Sequence, residues 1–146
     1  MKKISKEEYM RMYDIIGVAY DVHKILHRGL EEAIYQEAME IECERRDMNV
    51  EPQKLINCYY DGIKMKKYYL ADLYYEGVVV ELKSVEHIGP EHRAQLFNYL
   101  RLTHSKCGVL INFGESNLHS ERYIYNEIED NFILLTKENF QNYIKE

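Results

Sequence analysis

The chain has 146 residues, 46% apolar and 30% charged, with two prolines and seven glycines; this is enough for one domain with a sizeable core over residues 1–146 and leaves no low-complexity linker. A formal net charge of −6 argues against a protein that grips nucleic acid by nonspecific electrostatics, though not against a nuclease whose acidic site is neutralised by its metal. Cys43, Cys58 and Cys107 are odd in number and widely spaced, which excludes a disulfide framework or a cysteine-ligated metal and points to a reduced, cytoplasmic setting; no run approaches the roughly 18 apolar residues of a membrane span or the apolar stretch of a signal peptide.

Ser5-Lys6-Glu7-Glu8 is a capping-box pattern that starts a first helix. Met12, Ile16, Ala19, His23 and Leu26 recur at steps of three and four and form its buried stripe. Within that stripe His23 reads first as a satisfied core or edge histidine and second as a pocket residue. Gly29 interrupts the pattern, and a second helix runs from about Leu30 to Arg46 with two apolar faces. One face holds Leu30, Ile34, Ala38 and Ile41; the other holds Tyr35, Met39 and Cys43 and includes Glu32. Gln36, Glu37, Glu40 and Glu44 form the solvent side. A carboxylate on a partly buried face needs a partner or a role, the plainer reading of Glu32 being a first-turn acid favoured by the helix dipole and facing water.

Asn49 to Tyr60 reads as extended, Asp61-Gly62 as a hairpin turn, and Ile63 to Tyr69 as the returning strand with Lys64, Lys66 and Lys67 exposed. A second hairpin turns at Glu76-Gly77, so that Tyr75 pairs with Val78, Tyr74 with Val79, Leu73 with Val80 and Asp72 with Glu81. Lys83 then shares a face with Glu81. Two carboxylates about 4 Å apart at an effective dielectric near 20 repel by roughly 4 kcal/mol, a large fraction of a total stability of roughly 5–15 kcal/mol. Such a pair persists if one acid is protonated, if both reach water, or if a cation lies between them.

Gly89-Pro90 opens the next helix, with proline where its missing N–H costs nothing. His92, Gln95, Tyr99 and Leu102 form one stripe, and Leu96, Leu100 and Thr103 form the neighbouring one, expected in the core. Val109 to Ile111, inside Cys107–Gly114, is continuously apolar, as in a strand buried on both faces, and a helix between it and the Glu81 strand implies a parallel crossover. Phe132 to Leu135 is a last strand, after which Thr136 caps a terminal helix carrying Phe140 and Tyr143. The order of helix, helix, strands, helix, strand, strand, helix makes an α/β domain with a mixed sheet flanked by helices.

Asp72, Glu81 and Lys83 converge across the second hairpin, with Gln95 on the crossover helix above them. The two carboxylates and the backbone carbonyl of Leu82 can hold Mg²⁺ or Mn²⁺ and leave positions for water and a phosphate oxygen. The Lys83 ammonium can position the attacking water or neutralise the phosphate, which is what phosphodiester hydrolysis requires without a covalent nucleophile. The sequence contains no phosphate loop, nucleophile elbow, dinucleotide fingerprint or His/Cys set at zinc spacing. Tyr99 reads as core before catalysis, and His92 as a pocket-edge or helix-surface residue.

Gly29-Leu30-Glu31-Glu32-Ala33-Ile34-Tyr35 resembles the Gly-x-x-Glu-x-x-Tyr signature of the GxxExxY proteins, which are assigned to the PD-(D/E)XK nuclease superfamily. The resemblance runs from Ala19-Tyr20-Asp21-Val22-His23 to Arg122 and takes in Tyr69–Leu73, Val80-Glu81-Leu82-Lys83, His92–Leu100 and Leu110–Gly114. It implies a restriction-endonuclease-like core, Asp72 and Glu81 as metal ligands, Lys83 as the catalytic lysine, Glu32 as the helix acid near the metal, and Gln95 with Tyr99 beside the site. Ala71 stands where the proline of the superfamily's name would precede Asp72.

The expected activity is therefore Mg²⁺- or Mn²⁺-dependent hydrolysis of DNA, or of RNA. The alternative is a non-catalytic nucleic-acid-binding or protein-interaction module that keeps the fold, favoured by the acidic net charge. Lys64, Lys66, Lys67, Arg93, Arg101, Lys106 and Arg122 are the cations available to line a groove, and the tyrosine-rich strands leave a homodimer open.

Overall fold

The computed structural model describes residues 2–146. Two helices lead the chain, α1 (Lys6–Leu26) and α2 (Glu32–Arg45), followed by strands β1 (Val50–Tyr60), β2 (Ile63–Tyr75) and β3 (Val78–Lys83). Helix α3 (Pro90–Thr103) leads to β4 (Cys107–Asn112), β5 (His119–Asn126) and β6 (Asn131–Leu135), and a 3-10 turn covers Phe140–Tyr143. The strands form one sheet in the order β1-β2-β3-β4-β5-β6. Every neighbouring pair is antiparallel except β3 and β4, which α3 connects in parallel. The α/β mixed-sheet reading holds, with the helices on both faces.

Local chemistry sets the turns. Glu76 and Gly77 lie at φ 46° and 99°, and Asp61 and Gly62 at 50° and 79°. Two successive left-handed residues match the twist of a two-residue hairpin, so the expected registers Tyr75↔Val78 and Tyr60↔Ile63 form. At the start of α1, Glu8 N–H donates to Ser5 Oγ and Ser5 N–H to Glu8 Oε1, which completes the capping box.

Two cores sandwich the sheet. On one face α1 and α2 bury Met12, Ile15, Val18, Tyr35 and Met39 against Leu73, Val80, Leu82, Val109 and Ile111. On the other, Leu96, Tyr99 and Leu100 of α3 pack on Ala71, Val79, Leu110 and Tyr123. β4 is buried at every residue, as its continuous apolar run requires.

Four expectations are corrected. α2 packs on one side only: Tyr35, Met39 and Cys43 are buried, whereas Leu30, Ile34 and Ile41 are exposed because no layer lies beyond this helix. Glu32 is exposed rather than directed into a buried face, and Gln36, expected on the solvent side, is half-buried. In addition, β5 is a strand for which the sequence carried no expectation, because its first half, His119-Ser120-Glu121-Arg122, is polar, yet Glu121 is buried. The terminal helix after Thr136 does not extend, since Ile4 N–H donates to the Tyr143 carbonyl and Lys145 N–H to the Ile4 carbonyl, pulling the chain end straight beside the N-terminus.

Candidate active site

The β2–β3 ladder ends at Leu73↔Val80. One step further, where the register sets Asp72 opposite Glu81, the two backbones no longer pair and each carboxylate bonds the other strand instead. Asp72 N–H donates to Glu81 Oε1 at 3.0 Å, and Leu82 N–H donates to Asp72 Oδ2 at 2.7 Å. The opening is a fork between two strands, and the backbone donors at its mouth are satisfied by acids.

β2 also slips face here. Ala71 packs with α3 and Leu73, two residues on, with α1 and α2, so the strict alternation of a strand is lost at Asp72. Across β1, Gln53 sits at φ 50°, between the pairs Pro52↔Leu73 and Lys54↔Ala71. A non-glycine residue in that region is uncommon and marks local distortion. The slip turns the Asp72 carboxylate along the sheet, into the gap toward β3, instead of above or below it.

Glu81 and Lys83 face α3. Lys83 Nζ donates to Gln95 Oε1 at 2.6 Å, and Gln95 Nε2 donates to the Tyr99 hydroxyl at 3.2 Å. The Tyr99 ring lies 5.5 Å from that of Tyr69. Burial, and then the nearby Glu81 carboxylate, push the Tyr99 phenol above its ordinary range. Burial raises Asp72 as well, against the lowering effect of the Leu82 N–H and Lys83. Glu81 is raised well above the usual carboxylate range, by burial first and by the Asp72 charge second. The pair thus holds a proton more tightly than free acids do.

Helix α2 supplies the other wall. Gln36 Nε2 donates to the Asp72 carbonyl at 2.8 Å and to Glu40 Oε2 at 2.9 Å. Its Oε1 is buried without a hydrogen-bond partner among the described residues. A cleft of about 280 Å³ lies here, lined by Glu32, Gln36, Gln53, Asp72 and Leu82. Glu32 Oε2 accepts from Ser84 N–H at 3.2 Å, and Ser84 Oγ donates to the Leu30 carbonyl at 2.6 Å. The turn before α2 is latched by Tyr35, whose hydroxyl donates to the His27 carbonyl at 2.5 Å and accepts from Leu30 N–H at 3.2 Å; Gly29 makes the turn at φ 93°. Gly29, Glu32 and Tyr35 therefore serve one purpose, fixing the start of α2 against the segment after Lys83.

That segment is held from β4. Buried Asn112 accepts from Val85 N–H at 3.0 Å and donates to the Val85 carbonyl at 2.9 Å. Phe113 N–H donates to the Lys83 carbonyl at 2.8 Å. At Gly114 a Cβ would stand 2.1 Å from the Val85 carbonyl oxygen, so only glycine fits.

The fold thus brings together Asp72, Glu81, Lys83, Gln95 and Tyr99, with Glu32 at the rim and the Leu82 backbone at the fork. Gln36 and Asn112 are residues that sequence reasoning did not single out. Gln36 was masked by its acidic neighbours, and a buried polar residue ending an apolar run was the available signal for Asn112. His92 is engaged locally, with Nδ1 accepting from Gly89 N–H at 2.9 Å. His23 lies apart, its Nε2 3.2 Å from the Glu115 carbonyl, in a different and larger cleft with His27, Arg28 and Asn117.

Among the described residues no three His, Cys, Asp or Glu side chains converge as a metal cluster. The fork nevertheless offers hard oxygen donors: two carboxylates of raised proton affinity, the unpartnered Gln36 Oε1, and the Leu82 carbonyl, which projects from the same strand edge as the N–H that meets Asp72. Such a set fits a small divalent cation that keeps several waters and takes only one or two carboxylates.

A family model described as the PD-(D/E)XK nuclease superfamily matches residues 9–124. No curated protein matches the chain. A solved structure titled "Crystal structure of SSO0001" is similar over 66% of this chain and 53% of that one, at 19% identity and a TM-score of 0.48, so that the match covers about half of its length. Among the described residues no helix is long and apolar enough to cross a membrane.

Proposed function

The chain belongs to the PD-(D/E)XK nuclease superfamily, and we propose that it is a Mg²⁺- or Mn²⁺-dependent nuclease that hydrolyses phosphodiester bonds of DNA, or of RNA, as a single domain in the GxxExxY branch. The observation that carries this reading is the fork: Asp72 and Glu81 bond each other's strands, with Lys83 held beside them by Gln95. Asp72, Glu81 and the Leu82 carbonyl are the residues that would hold the ion. When bound, the ion lowers the pKa of water and takes up charge developing on the phosphate.

The chain's own groups do the positioning. Lys83 presents its ammonium on the Glu81 face, where it can donate to a phosphate oxygen or orient a water for in-line attack. Gln95 holds that ammonium in place, and Tyr99 holds Gln95. Glu32 ties the rim of the cleft to Ser84, one residue past the lysine. His92 is assigned to the surroundings of the site and not to the reaction, and His23, in a separate cleft, to neither.

A labelled-oligonucleotide assay with Mg²⁺ and with Mn²⁺ tests the reading. Lys83→Ala should lose roughly 10²–10³-fold in rate, the scale expected for a charge-stabilising donor, with its circular dichroism unchanged. Cleavage that persists in Lys83→Ala, Asp72→Ala and Glu81→Ala alike overturns it. One observation favours the non-catalytic alternative: Arg93 and Arg101 pair with Glu121 and Asp130, and Arg122 lies over the Tyr9 ring, so three of the expected groove cations are taken. Light scattering distinguishes a monomer from a homodimer, and fractionation tests the cytoplasmic assignment.

A further inference from the structure

Beyond the fork, β2 continues as a two-stranded ribbon with β1: β3 meets β2 at Leu73, Tyr74 and Tyr75, whereas β1 follows it to the Asp61-Gly62 turn. A two-stranded ribbon is marginal in water unless a third strand or a helix packs on it. On one face α3 gives that support, with Ile56 and Ala71 in its core and Tyr69 against the Tyr99 ring. Alternation puts Lys64, Lys66, Tyr68 and Leu70 on the other face, where they are exposed. Leu55 pairs with Leu70 and Tyr59 with Lys64, so both extend that open face across β1.

Helix α2 has the complementary defect. Leu30, Ile34 and Ile41 line its outer side, opposite buried Tyr35, Met39 and Cys43, and are exposed. The helical period sets Glu37 and Glu44 beside that stripe, while Arg45 at its end is tied to Glu42 at 3.5 Å. α2 carries five glutamates and one arginine. Residues 54–71 carry four lysines and one aspartate in a chain whose net charge is −6. The two uncovered surfaces also lie on the same side of the sheet. α3 occupies the face of Ala71 and Tyr69, which leaves Leu70 and Tyr68 on the face that α1 and α2 occupy farther along.

We propose that the chain forms a twofold homodimer in which the open face of each ribbon packs on the outer side of the other copy's α2, an inference that does not depend on the nuclease reading. Two patches on one side of a molecule meet their counterparts twice under a single twofold axis, so one stacking of two copies covers all four surfaces. The lengths agree: Leu30 to Ile41 spans roughly 17 Å of helical rise, and Lys64 to Leu70 roughly 20 Å of strand. The seven large apolar side chains of the two patches, Leu55 and Tyr59 included, are 41% to 62% exposed. At about 200 Å² for a fully exposed side chain they offer roughly 700 Å² per copy, close to the ~800 Å² per partner of a standard interface. Charge selects the pairing. Ribbon on ribbon sets lysines against lysines, and α2 on α2 sets glutamates against glutamates, whereas ribbon on α2 brings Lys64 and Lys66 to Glu37 and Glu44. Nucleic acid is the poorer occupant, because the surfaces that bind it are more polar than this one. Aromatic and aliphatic side chains among a few charges are the composition of a protein interface.

Light scattering of the full chain in EDTA, without nucleic acid and across micromolar concentrations, should give twice the 17.6 kDa of one chain. Lys64→Glu with Lys66→Glu in one variant, and Glu37→Lys with Glu44→Lys in another, should each give a monomer with unchanged circular dichroism, the dissociation constant rising about a hundredfold. Mixing the two variants should restore a dimer, because each ribbon then meets an α2 of opposite charge. A wild type that stays monomeric, or that dimerises only when an oligonucleotide is added, overturns the inference. A dimer that survives reversal of the α2 glutamates is ribbon on ribbon, one that survives reversal of the ribbon lysines is α2 on α2, and either overturns it, as does a mixture that stays monomeric. Cleavage that needs Lys83 in a monomeric wild type sinks the dimer and leaves the catalytic reading. A dimer that obeys the charge swap without any metal-dependent cleavage sinks the catalytic reading and leaves the dimer.

Discussion

Two buried glutamates lie in one cross-sheet row, and the protein treats them oppositely. Glu81 on β3 and Glu121 on β5 both pair with Leu110, which separates them, and they are 3% and 7% exposed. Burial penalises both charges. Glu121 is saturated with donors: Arg93 reaches it with two bonds of 2.8 Å, Tyr123 at 2.5 Å, and His119 Nε2 lies at 2.8 Å. Against the penalty of burial, the bonds from Arg93, Tyr123 and His119 hold its pKa at about 2. Glu81 has one backbone N–H and a second acid for a neighbour, and its affinity for a proton rises. The lesson is that burial does not mark a working acid. A carboxylate whose donors are complete ties α3 to β5, while one short of donors beside another acid is the one that, in the proposed nuclease reading, would receive a cation.

The largest expected effect separates the two by activity. Glu81→Gln should lower metal-dependent cleavage by roughly 10²–10³-fold or more, and Glu121→Gln should leave it nearly unchanged at a temperature where the variant is folded. Equal losses in the two would erase the distinction. Stability should invert the order. A shift of the Glu121 pKa to about 2 corresponds to about 3 kcal/mol, so Glu121→Gln should melt roughly 6–12 °C lower for a chain of this size.

Acid sharpens the same contrast. The folded pKa of Glu121 is depressed, so its stabilisation is fully present above the unfolded value near 4.3 and is lost as pH falls through about 2. Denaturant titrations between those limits should show a stability slope in the wild type that Glu121→Gln lacks. The fork acids have the opposite sign: their folded values are raised, so metal-free protein should lose stability as pH rises above about 4.3. In chelator at neutral pH, Glu81→Gln should therefore unfold at a higher urea concentration than the wild type. Mn²⁺ should raise the melting temperature of the wild type and not of Glu81→Gln. A variant that is destabilised in chelator would mean that the acid pair supports the fold instead of straining it.

Much of the site is legible in the sequence, and particular residues show why. Asp61-Gly62 and Glu76-Gly77 are short-range signals, since two left-handed residues admit few alternatives to a tight hairpin. Once Glu76-Gly77 is the turn, counting outward sets Asp72 against Glu81 and puts Lys83 two residues along the same face. The capping box at Ser5, the proline opening α3 and the doubly buried β4 are equally local.

Tertiary contact decided the rest. The sequence by itself determined the turns, the register and the periodic faces, because these depend on neighbours a few residues apart. It could not show that the strands part at Asp72, that Gln36 turns inward to the Asp72 carbonyl, or that Glu121 is buried because Arg93, 28 residues away, comes down onto it. Nor could it show that a bridge to Ile4 forestalls the last helix. Each of these depends on which distant surface covers a residue. A pattern of polar and apolar positions has the same period whether a polar side chain meets water or a buried partner.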